Sequence, residues 1–327
     1  MTTLGVVGNL SRDTAVHPAT TRHLLGGAAL HIALAATRAG LRAAPIAVIG
    51  PDLTGALTLP AIAELDLADI RIASEPSCRF RLRYDTQGVL LDLRATYGAA
   101  RELTEHALQA AARYPHVHVC CRRPLDAHRM LDALAGRGQR FSVDFITSSA
   151  TEIISAVADL LPSASIIFTN ASEFEPLTQT VALDRLHTVT VTDGPRPVVV
   201  YRNGIPLARL AVAAATAVEV TGAGDTFTGT FLGAILLGQP EPAALALAVN
   251  AATGHITTAG IPLDPNPKTA PPRPPPLPQG ASGCSTSRTA FSPPTTATSA
   301  PSAPQRSPSA PAPAGYSYRS ATPTRKT

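Results

Sequence analysis

A glycine-rich turn with one carboxylate, TGAGDTF at residues 221 to 227, joins an apolar run to an apolar helical stretch. Small residues at the start of a helix let backbone N–H groups converge on an anion, and the helix dipole favours negative charge there. Asp225 can accept a proton from a hydroxyl that attacks a phosphate. The amides that would stabilise the transferring group belong to Gly222, Ala223 and Gly224. The segment therefore predicts phosphoryl transfer to a hydroxyl, whereas an isolated G-x-G-D turn would more simply make Asp225 a helix N-cap.

Three further polar residues follow apolar runs. Asp13 comes after LGVVG at residues 4 to 8, and Asn170 ends SIIFTN with Glu173 three residues later. Taken alone, Asp13 is typical of a turn. Asn170 and Glu173 alone are typical of a helix cap with an acidic residue in the first turn. Their roles therefore depend on the segments around them.

The order and spacing of six segments resemble the signatures of the ribokinase-like (PfkB-type) carbohydrate kinases, which phosphorylate a sugar, a nucleoside or a related alcohol from ATP. The matching segments, between residue 4 and about residue 262, are Gly8 with Asp13, Gly26-Gly27 before an Ala-rich stretch, the G-P-D-L-T-G turn at 50 to 55, the hairpin at 70 to 94, Asn170 with Glu173, and the turn at 221 to 227. The resemblance implies an ATP-dependent kinase that transfers the γ-phosphoryl group to a hydroxyl, with Mg²⁺ as cofactor.

The resemblance also implies roles for individual residues. Asp225 is implied to be the catalytic base. The anion cradle is implied to consist of Gly222, Ala223 and Gly224. The residues implied to bind the substrate are Asp13, Gly26, Gly27 and His31. The residues implied to lie beside ATP are Asn170, Glu173, Thr192, Gly194, Thr221 and Asn250. Glu173 is implied to act on the metal indirectly, through bound water, whereas Asn250 alone would more simply be a polar residue satisfied inside an apolar helix.

Four positions depart from the family pattern. His31 stands where many sugar kinases have an Asn that contacts substrate hydroxyls, so it either bonds a hydroxyl or packs as a neutral core group. Ala28 replaces a Lys that is frequent in ribose-specific members, which argues against ribose. Glu219 replaces an Asp that helps to hold a monovalent cation in some members, so potassium activation stays open. Pro197 replaces the last Gly of a T-x-G-x-x-G turn and stiffens it.

The segments that position these residues alternate between strand and helix patterns. Continuous apolar runs indicate buried strands, and Ala- and Leu-rich stretches between them indicate helices. This alternation predicts an α/β fold with a mostly parallel central sheet and helices on both faces. A polar loop is predicted to extend through Arg22, and a helix after the second strand through Leu65. The period-two pattern of residues 70 to 94 predicts a small β lid.

Composition divides the 327 residues near position 264. Residues 265 to 327 hold 16 of the 31 prolines and seven basic residues but no Asp or Glu, so residues 1 to 264 carry a net charge of −3 within a total of +4. We therefore predict a ribokinase-like kinase domain over 1–264 and a disordered tail over 265–327. That tail is either a Pro-rich extension or a frame-shifted reading of GC-rich coding sequence. Its dispersed charges give no reason to expect a nucleic-acid partner.

Cysteine usage and hydropathy indicate the compartment. The four cysteines form no C-x-x-C pattern, and Cys120-Cys121 lies in an apolar run typical of a buried strand. The apolar stretch nearest in length to a membrane span, residues 231 to 238, is far too short. We therefore expect a soluble cytoplasmic protein, monomeric or homodimeric, that binds a small polyhydroxylated substrate. The alternatives are a non-catalytic ligand-binding or regulatory protein with an impaired nucleotide site, and a dinucleotide-dependent oxidoreductase, which the lack of G-x-G-x-x-G after residue 4 disfavours.

Overall fold

The structure of the chain is a computed structural model. It describes five ranges, which are residues 4–86, 90–216, 218, 220–258 and 260–263. The predicted tail over 265–327 and Glu219 lie outside the described residues, so the domain boundary and the cation site stay predictions.

Strands and α-helices alternate along most of the described chain. The strands are β1 (Leu4–Val7), β2 (Ser11–Val16), β3 (Thr21–Gly26), β4 (Ala43–Ile49), β5 (Ile70–Ile72), β6 (Cys78–Tyr84), β7 (Leu90–Thr96), β8 (His116–Cys121), β9 (Arg140–Phe145), β10 (Ile166–Asn170), β11 (Thr188–Asp193), β12 (Arg196–Arg202), β13 (Ile205–Leu210) and β14 (Ile261–Pro262). The α-helices are α1 (Ala28–Arg38), α2 (Leu103–Ala110), α3 (Ala127–Gly136), α4 (Ala150–Ala156), α5 (Ala171–Thr180), α6 (Ala223–Leu236) and α7 (Glu241–Ile256). None of the described helices is both long and apolar enough to cross a membrane.

Nine strands form the main sheet in the order β13-β12-β11-β10-β9-β8-β1-β4-β5. The pairs from β11 to β5 are parallel, and β12 and β13 extend one edge in antiparallel fashion. β1, β4 and β8 are buried at every residue, as strands covered on both faces must be. The predicted α/β fold with a mostly parallel sheet is confirmed.

Two apolar cores cover the faces of this sheet, one beneath α1, α6 and α7 and the other beneath α2 to α5. On the first face, α6 packs against both α1 and α7. A Cβ at Gly229 of α6 would lie 2.1 Å from the backbone oxygen of Ile32 in α1, so only glycine permits this approach. The close contact fixes α6, and therefore its N-terminal turn, against the sheet.

A second sheet of five strands, which we call the lid, has the order β14-β3-β2-β6-β7. β6 and β7 lie in it as predicted, but β5 pairs with β4 at the edge of the main sheet. The predicted polar loop through Arg22 is wrong, because this segment supplies β2 and β3. In β2 the polar Ser11 and Asp13 face inward at period two, so the strand lacks the apolar alternation that marks half-buried strands.

The helix predicted through Leu65 is also wrong. Pro51–Thr58 and Pro60–Ile62 form two 3₁₀ helices instead. The residue before a proline is driven toward extended backbone, and Leu59 has φ −65° and ψ 132°. Pro60 therefore separates the two turns and prevents a continuous α-helix.

Candidate active site

The turn before α6 presents backbone donors. Gly222 is the N-cap residue with φ +84°, in the left-handed region that favours glycine, and no side chain caps the helix. Within the described part of the chain, the backbone N–H groups of Gly224 and Asp225 have no acceptor. These donors and the positive end of the α6 dipole make the start of this helix suitable for an anion.

This turn borders a cavity of about 290 Å³ at the carboxyl ends of β9, β10 and β11. The predicted site residues that line it are Asn170, Glu173, Thr192, Thr221, Gly222, Gly224 and Asp225. The side chain of Asp225 is 18% exposed, so a hydroxyl in the cavity can reach it. Open α/β sheets bind ligands at this edge because the strand ends and helix starts meet there.

Asn170 and Glu173 form a capping box at the start of α5. Asn170 Oδ1 accepts a hydrogen bond from the Glu173 N–H at 3.0 Å, and Glu173 Oε2 accepts one from the Asn170 N–H at 3.0 Å. The Thr147 hydroxyl donates to Glu173 Oε1 at 2.8 Å. Burial raises the pKa of Glu173, although these hydrogen bonds oppose the rise. The capping interpretation is confirmed, and the same pair also lines the cavity.

Oxygen atoms of the kind that Mg²⁺ prefers surround this cavity. The carboxylates of Asp144 and Glu173 line it, and Mg²⁺ favours oxygen ligands while it keeps several of its waters. Both carboxylate oxygens of Glu173 already accept hydrogen bonds. Asp144 forms an ion pair with Arg122. The residues therefore fit a hydrated ion held through its waters, and the indirect role of Glu173 stays a prediction.

Three predicted substrate-binding residues, Asp13, Gly26 and His31, line a second cavity of about 20 Å³. The Asp13 carboxylate packs so closely on Gly26 that a Cβ there would lie 1.9 Å from Asp13 Oδ2. Tyr84 of the lid shares a hydrogen bond with Thr221 Oγ1 at 2.7 Å, which joins the lid to the turn before α6. A sugar would fit here only with the lid farther from the turn before α6.

Gly27 supports this pocket through its backbone. Its φ is +106°, and a Cβ would lie 2.0 Å from the backbone oxygen of Asn9. Both the conformation and the close approach require glycine. Gly27 therefore sets the path of the chain from β3 into α1.

His31 lies between the small cavity and a larger one of about 700 Å³ that α1, α6 and α7 line. Burial lowers the pKa of its imidazole, although the charge of Asp225 opposes this. Its ring meets the ring of His255 edge to face at a centroid separation of 5.9 Å. His31 therefore lies at the border of the small cavity with the charged form of its ring disfavoured, which is compatible with both roles expected for it.

Besides Gly27, three predicted residues are not among those that line the cavities of 290 and 20 Å³. Ala223 is the first residue of α6, and Gly194 forms the exposed turn between β11 and β12 with φ +55°. Asn250 is exposed on α7, so it is not a polar residue satisfied in a core. The nucleotide roles of Gly194 and Asn250 stay predictions.

Sequence reasoning missed Arg122, Asp144, Tyr84 and His255. Arg122 follows β8 and Asp144 lies near the end of β9. Both line the cavity of about 290 Å³ that contains Asp225. Charged residues at the carboxyl ends of adjacent parallel strands are the signal that could have found them. His255 Nε2 donates to the backbone oxygen of Thr221 at 2.8 Å, and no local pattern points to that contact.

Similar proteins share this fold. A curated cytidine kinase of Thermococcus kodakarensis is 27% identical over 257 residues, which cover 73% of this chain and 91% of that protein. A solved nucleoside kinase of Burkholderia thailandensis in complex with inosine has a TM-score of 0.69 at 18% identity, covering 79% of this chain and 92% of that chain. A ribokinase of Cryptococcus neoformans in complex with ADP has a TM-score of 0.66 at 18% identity, covering 80% of this chain and 95% of that chain.

A family model matches nearly all of the described chain. It is the model of the pfkB family carbohydrate kinases, and it covers residues 2–268. That range includes the lid, the capping box and the turn before α6, which are the parts that build the two cavities. The chain belongs to the pfkB family of carbohydrate kinases and is a phosphotransferase that acts on sugar or nucleoside hydroxyls.

Proposed function

We propose that this protein transfers the γ-phosphoryl group of ATP to a hydroxyl of a nucleoside, with Mg²⁺ as cofactor. The observation that carries the proposal is the cavity at the start of α6. Asp225, the N–H groups of Gly224 and Asp225, which have no acceptor among the described residues, and the capping box of Asn170 and Glu173 meet there. A base, an anion cradle and metal-suited oxygens in one cavity are the parts that phosphoryl transfer requires.

In this mechanism Asp225 accepts the proton of the attacking hydroxyl. The hydroxyl oxygen forms a bond to the γ-phosphorus while the bond from that phosphorus to the β-phosphate oxygen breaks, and ADP leaves. The N–H groups of Gly224 and Asp225 donate to the transferring group as its charge redistributes. Asp13 holds other hydroxyls of the acceptor and thereby directs the reacting one toward Asp225. Bound Mg²⁺ would neutralise charge on the phosphates, and Glu173 would hold one of its waters.

Two features support a nucleoside as the acceptor. A curated relative, the cytidine kinase of T. kodakarensis, matches over 73% of this chain. The walls of the proposed substrate pocket are mainly apolar and include the phenol ring of Tyr84. The other apolar wall residues are Ala15, Leu24, Leu25 and Leu82. His17 stacks on Tyr84 at a centroid separation of 4.7 Å with the rings 8° from parallel, which holds the tyrosine ring in place. Apolar and aromatic walls suit a flat heteroaromatic base better than a free polyol.

The direct test is turnover with a panel of acceptors in the presence of ATP and Mg²⁺. We expect ADP formation with cytidine or another nucleoside at a kcat/KM well above that with ribose, fructose or inositol. Turnover of sugars alone would contradict the nucleoside part of the proposal. Absence of transfer to every acceptor in the panel would contradict the kinase activity.

Replacement of the proposed base is the matched mutational test. Asp225→Asn should lower kcat by about 10²-fold or more, because general base catalysis contributes on the order of 10²–10⁴. Nucleoside and ATP binding, measured by thermal shift, should persist. Asp132→Asn, on the exposed surface of α3, serves as the control and should keep wild-type turnover. A kcat near wild type in Asp225→Asn would remove Asp225 from the mechanism.

A further inference from the structure

Arg122 is the one cationic side chain among the described residues that line the cavity of Asp225. It follows the carboxyl end of β8, and its side chain is only 16% exposed. Burial of an arginine is costly unless its charge is compensated. The carboxylates near the start of α6 must therefore compensate the charge of Arg122.

The contacts of Arg122 leave part of its guanidinium available. Nη2 donates to the carboxylate of Asp144 and lies 3.5 Å from the backbone oxygen of Phe145. The same nitrogen lies 3.7 Å from Asp225 Oδ1, and the buried Nε has no acceptor within the described residues. Burial opposes the charge, but the carboxylates of Asp144 and Asp225 raise the pKa of Arg122. The side chain is thus a cation held in place, with a donor that no described residue satisfies.

The position of this cation coincides with the region that the reacting phosphoryl group must enter. An acceptor hydroxyl lies about 2.6–3.2 Å from its base. The phosphorus that it attacks lies about 3–3.5 Å beyond the hydroxyl oxygen. A guanidinium 3.7 Å from Asp225 is therefore within reach of the oxygens on that phosphorus. The planar fork of arginine suits phosphoryl oxygens better than any other cationic side chain does.

We propose that Arg122 is a catalytic residue that contacts the phosphoryl group during its transfer, a role that rests on the proposed kinase activity. Asp144 is then a positioning residue that holds the guanidinium beside Asp225. The competing explanation is that Arg122 only neutralises Asp144, whose side chain is 8% exposed. The two explanations differ in what happens when both charges are removed.

The experiment compares Arg122→Met with the double variant Arg122→Met/Asp144→Asn. In both variants we expect kcat for nucleoside phosphorylation to fall by about 10²-fold or more, as with the loss of a transition-state donor. The double variant, which buries no unpaired charge, should melt close to wild type and bind ATP and the nucleoside with nearly unchanged Kd. Arg122→Lys should recover part of the lost kcat. Arg123→Met is the control, because Arg123 is 60% exposed and pairs with Glu152 on the surface.

The kcat values of these variants distinguish a catalytic role of Arg122 from simple charge compensation of Asp144. Near wild-type kcat in the double variant would show that Arg122 only compensates Asp144, and the proposed role would be wrong. A loss of kcat in the control as large as that in Arg122→Met would also contradict it. If the wild-type chain transfers no phosphoryl group, the proposed function fails and this role fails with it. Should Arg122→Met not fold, the double variant is compared with Asp144→Asn alone, which loses the same carboxylate but keeps the guanidinium. Equal kcat in these two variants would contradict the proposed role of Arg122.

Discussion

Gly26 leaves the space that the Asp13 carboxylate occupies on the neighbouring lid strand. A methyl group at Gly26 would lie 1.9 Å from Asp13 Oδ2. The clash is with the end of a short side chain, so the strand can stay in place while the carboxylate rotates away. A substitution at Gly26 therefore tests the role of Asp13 without removing its charge.

Gly26→Ala should raise KM for the nucleoside by about tenfold or more, because each lost hydrogen bond to a charged group is worth about 1.5–3 kcal/mol. KM for ATP should change far less, since we propose that the nucleotide binds at the other cavity. Gly55→Ala is the matched control, because no atom lies within 4 Å of a Cβ built there. Equal increases in both KM values for Gly26→Ala would contradict the assignment of Asp13 to the acceptor.

At the scale of secondary-structure elements, His255 ties the end of α7 to the turn before α6. Its Nε2 donates to the backbone oxygen of Thr221 at 2.8 Å, and its Nδ1 lies 3.1 Å from Thr226 Oγ1. The neutral imidazole with its proton on Nε2 satisfies both contacts, since the Thr226 hydroxyl can donate to Nδ1. One residue of α7 therefore contacts both Thr221 and Thr226, on either side of the proposed anion cradle.

His255→Ala should loosen this turn while α6 and α7 stay packed. Two lost hydrogen bonds correspond to about 1–3 kcal/mol of unfolding free energy, so the melting temperature should fall by several degrees. We expect kcat to fall more than KM rises, because the cradle acts mainly on the transferring group. The control is His128→Ala on the exposed face of α3, which should change neither quantity. Unchanged kcat in His255→Ala would show that the cradle is rigid without this link.

At the scale of the whole molecule, a buried cluster of three polar residues in the main sheet links stability to pH. Ser142 Oγ of β9 lies 3.0 Å from His116 Nε2 and 3.0 Å from His118 Nδ1 of β8. Burial, together with the neighbouring His118 and Arg140, lowers the pKa of His116 from 6.5 to about 3. As the pH falls below about 6.5, the unfolded chain therefore binds a proton that the folded chain rejects.

This difference predicts that the free energy of unfolding is highest above about pH 6.5 and falls toward pH 3, by up to about 1.4 kcal/mol per pH unit from His116. His116→Gln should flatten the dependence by that amount when urea unfolding is measured between pH 4 and pH 7. His128→Gln should keep the wild-type slope, because His128 is exposed. If His116→Gln kept the wild-type slope, the folded protein would be taking up the proton at the same pH as the unfolded chain.

The parts of the site that were predictable are those contained in one short segment. The turn at 221 to 227 and the pair Asn170 and Glu173 each combine all their groups within a few residues, and both lie at the cavity. Asn250 was placed by analogy along one helix, and the structure has it exposed. The sequence of a helix shows which side chains face the core only when one face is apolar and the other polar. Because α7 is apolar on most of its surface, its sequence does not show that Asn250 is exposed.

The sequence by itself determined the fold class, the Gly-rich helix start at residues 221 to 227, and the kinase family, because runs of apolar residues and turn chemistry act between neighbours along the chain. Only the tertiary structure decided the composition of the lid, where β2 pairs with β6 across a long stretch of sequence. It also decided that Arg122 meets Asp225, because that contact depends on the order of β8, β9 and β10 in the sheet. Strand order and helix packing depend on how apolar faces are buried against each other over the whole domain. Local sequence patterns therefore do not show which distant residues come into contact.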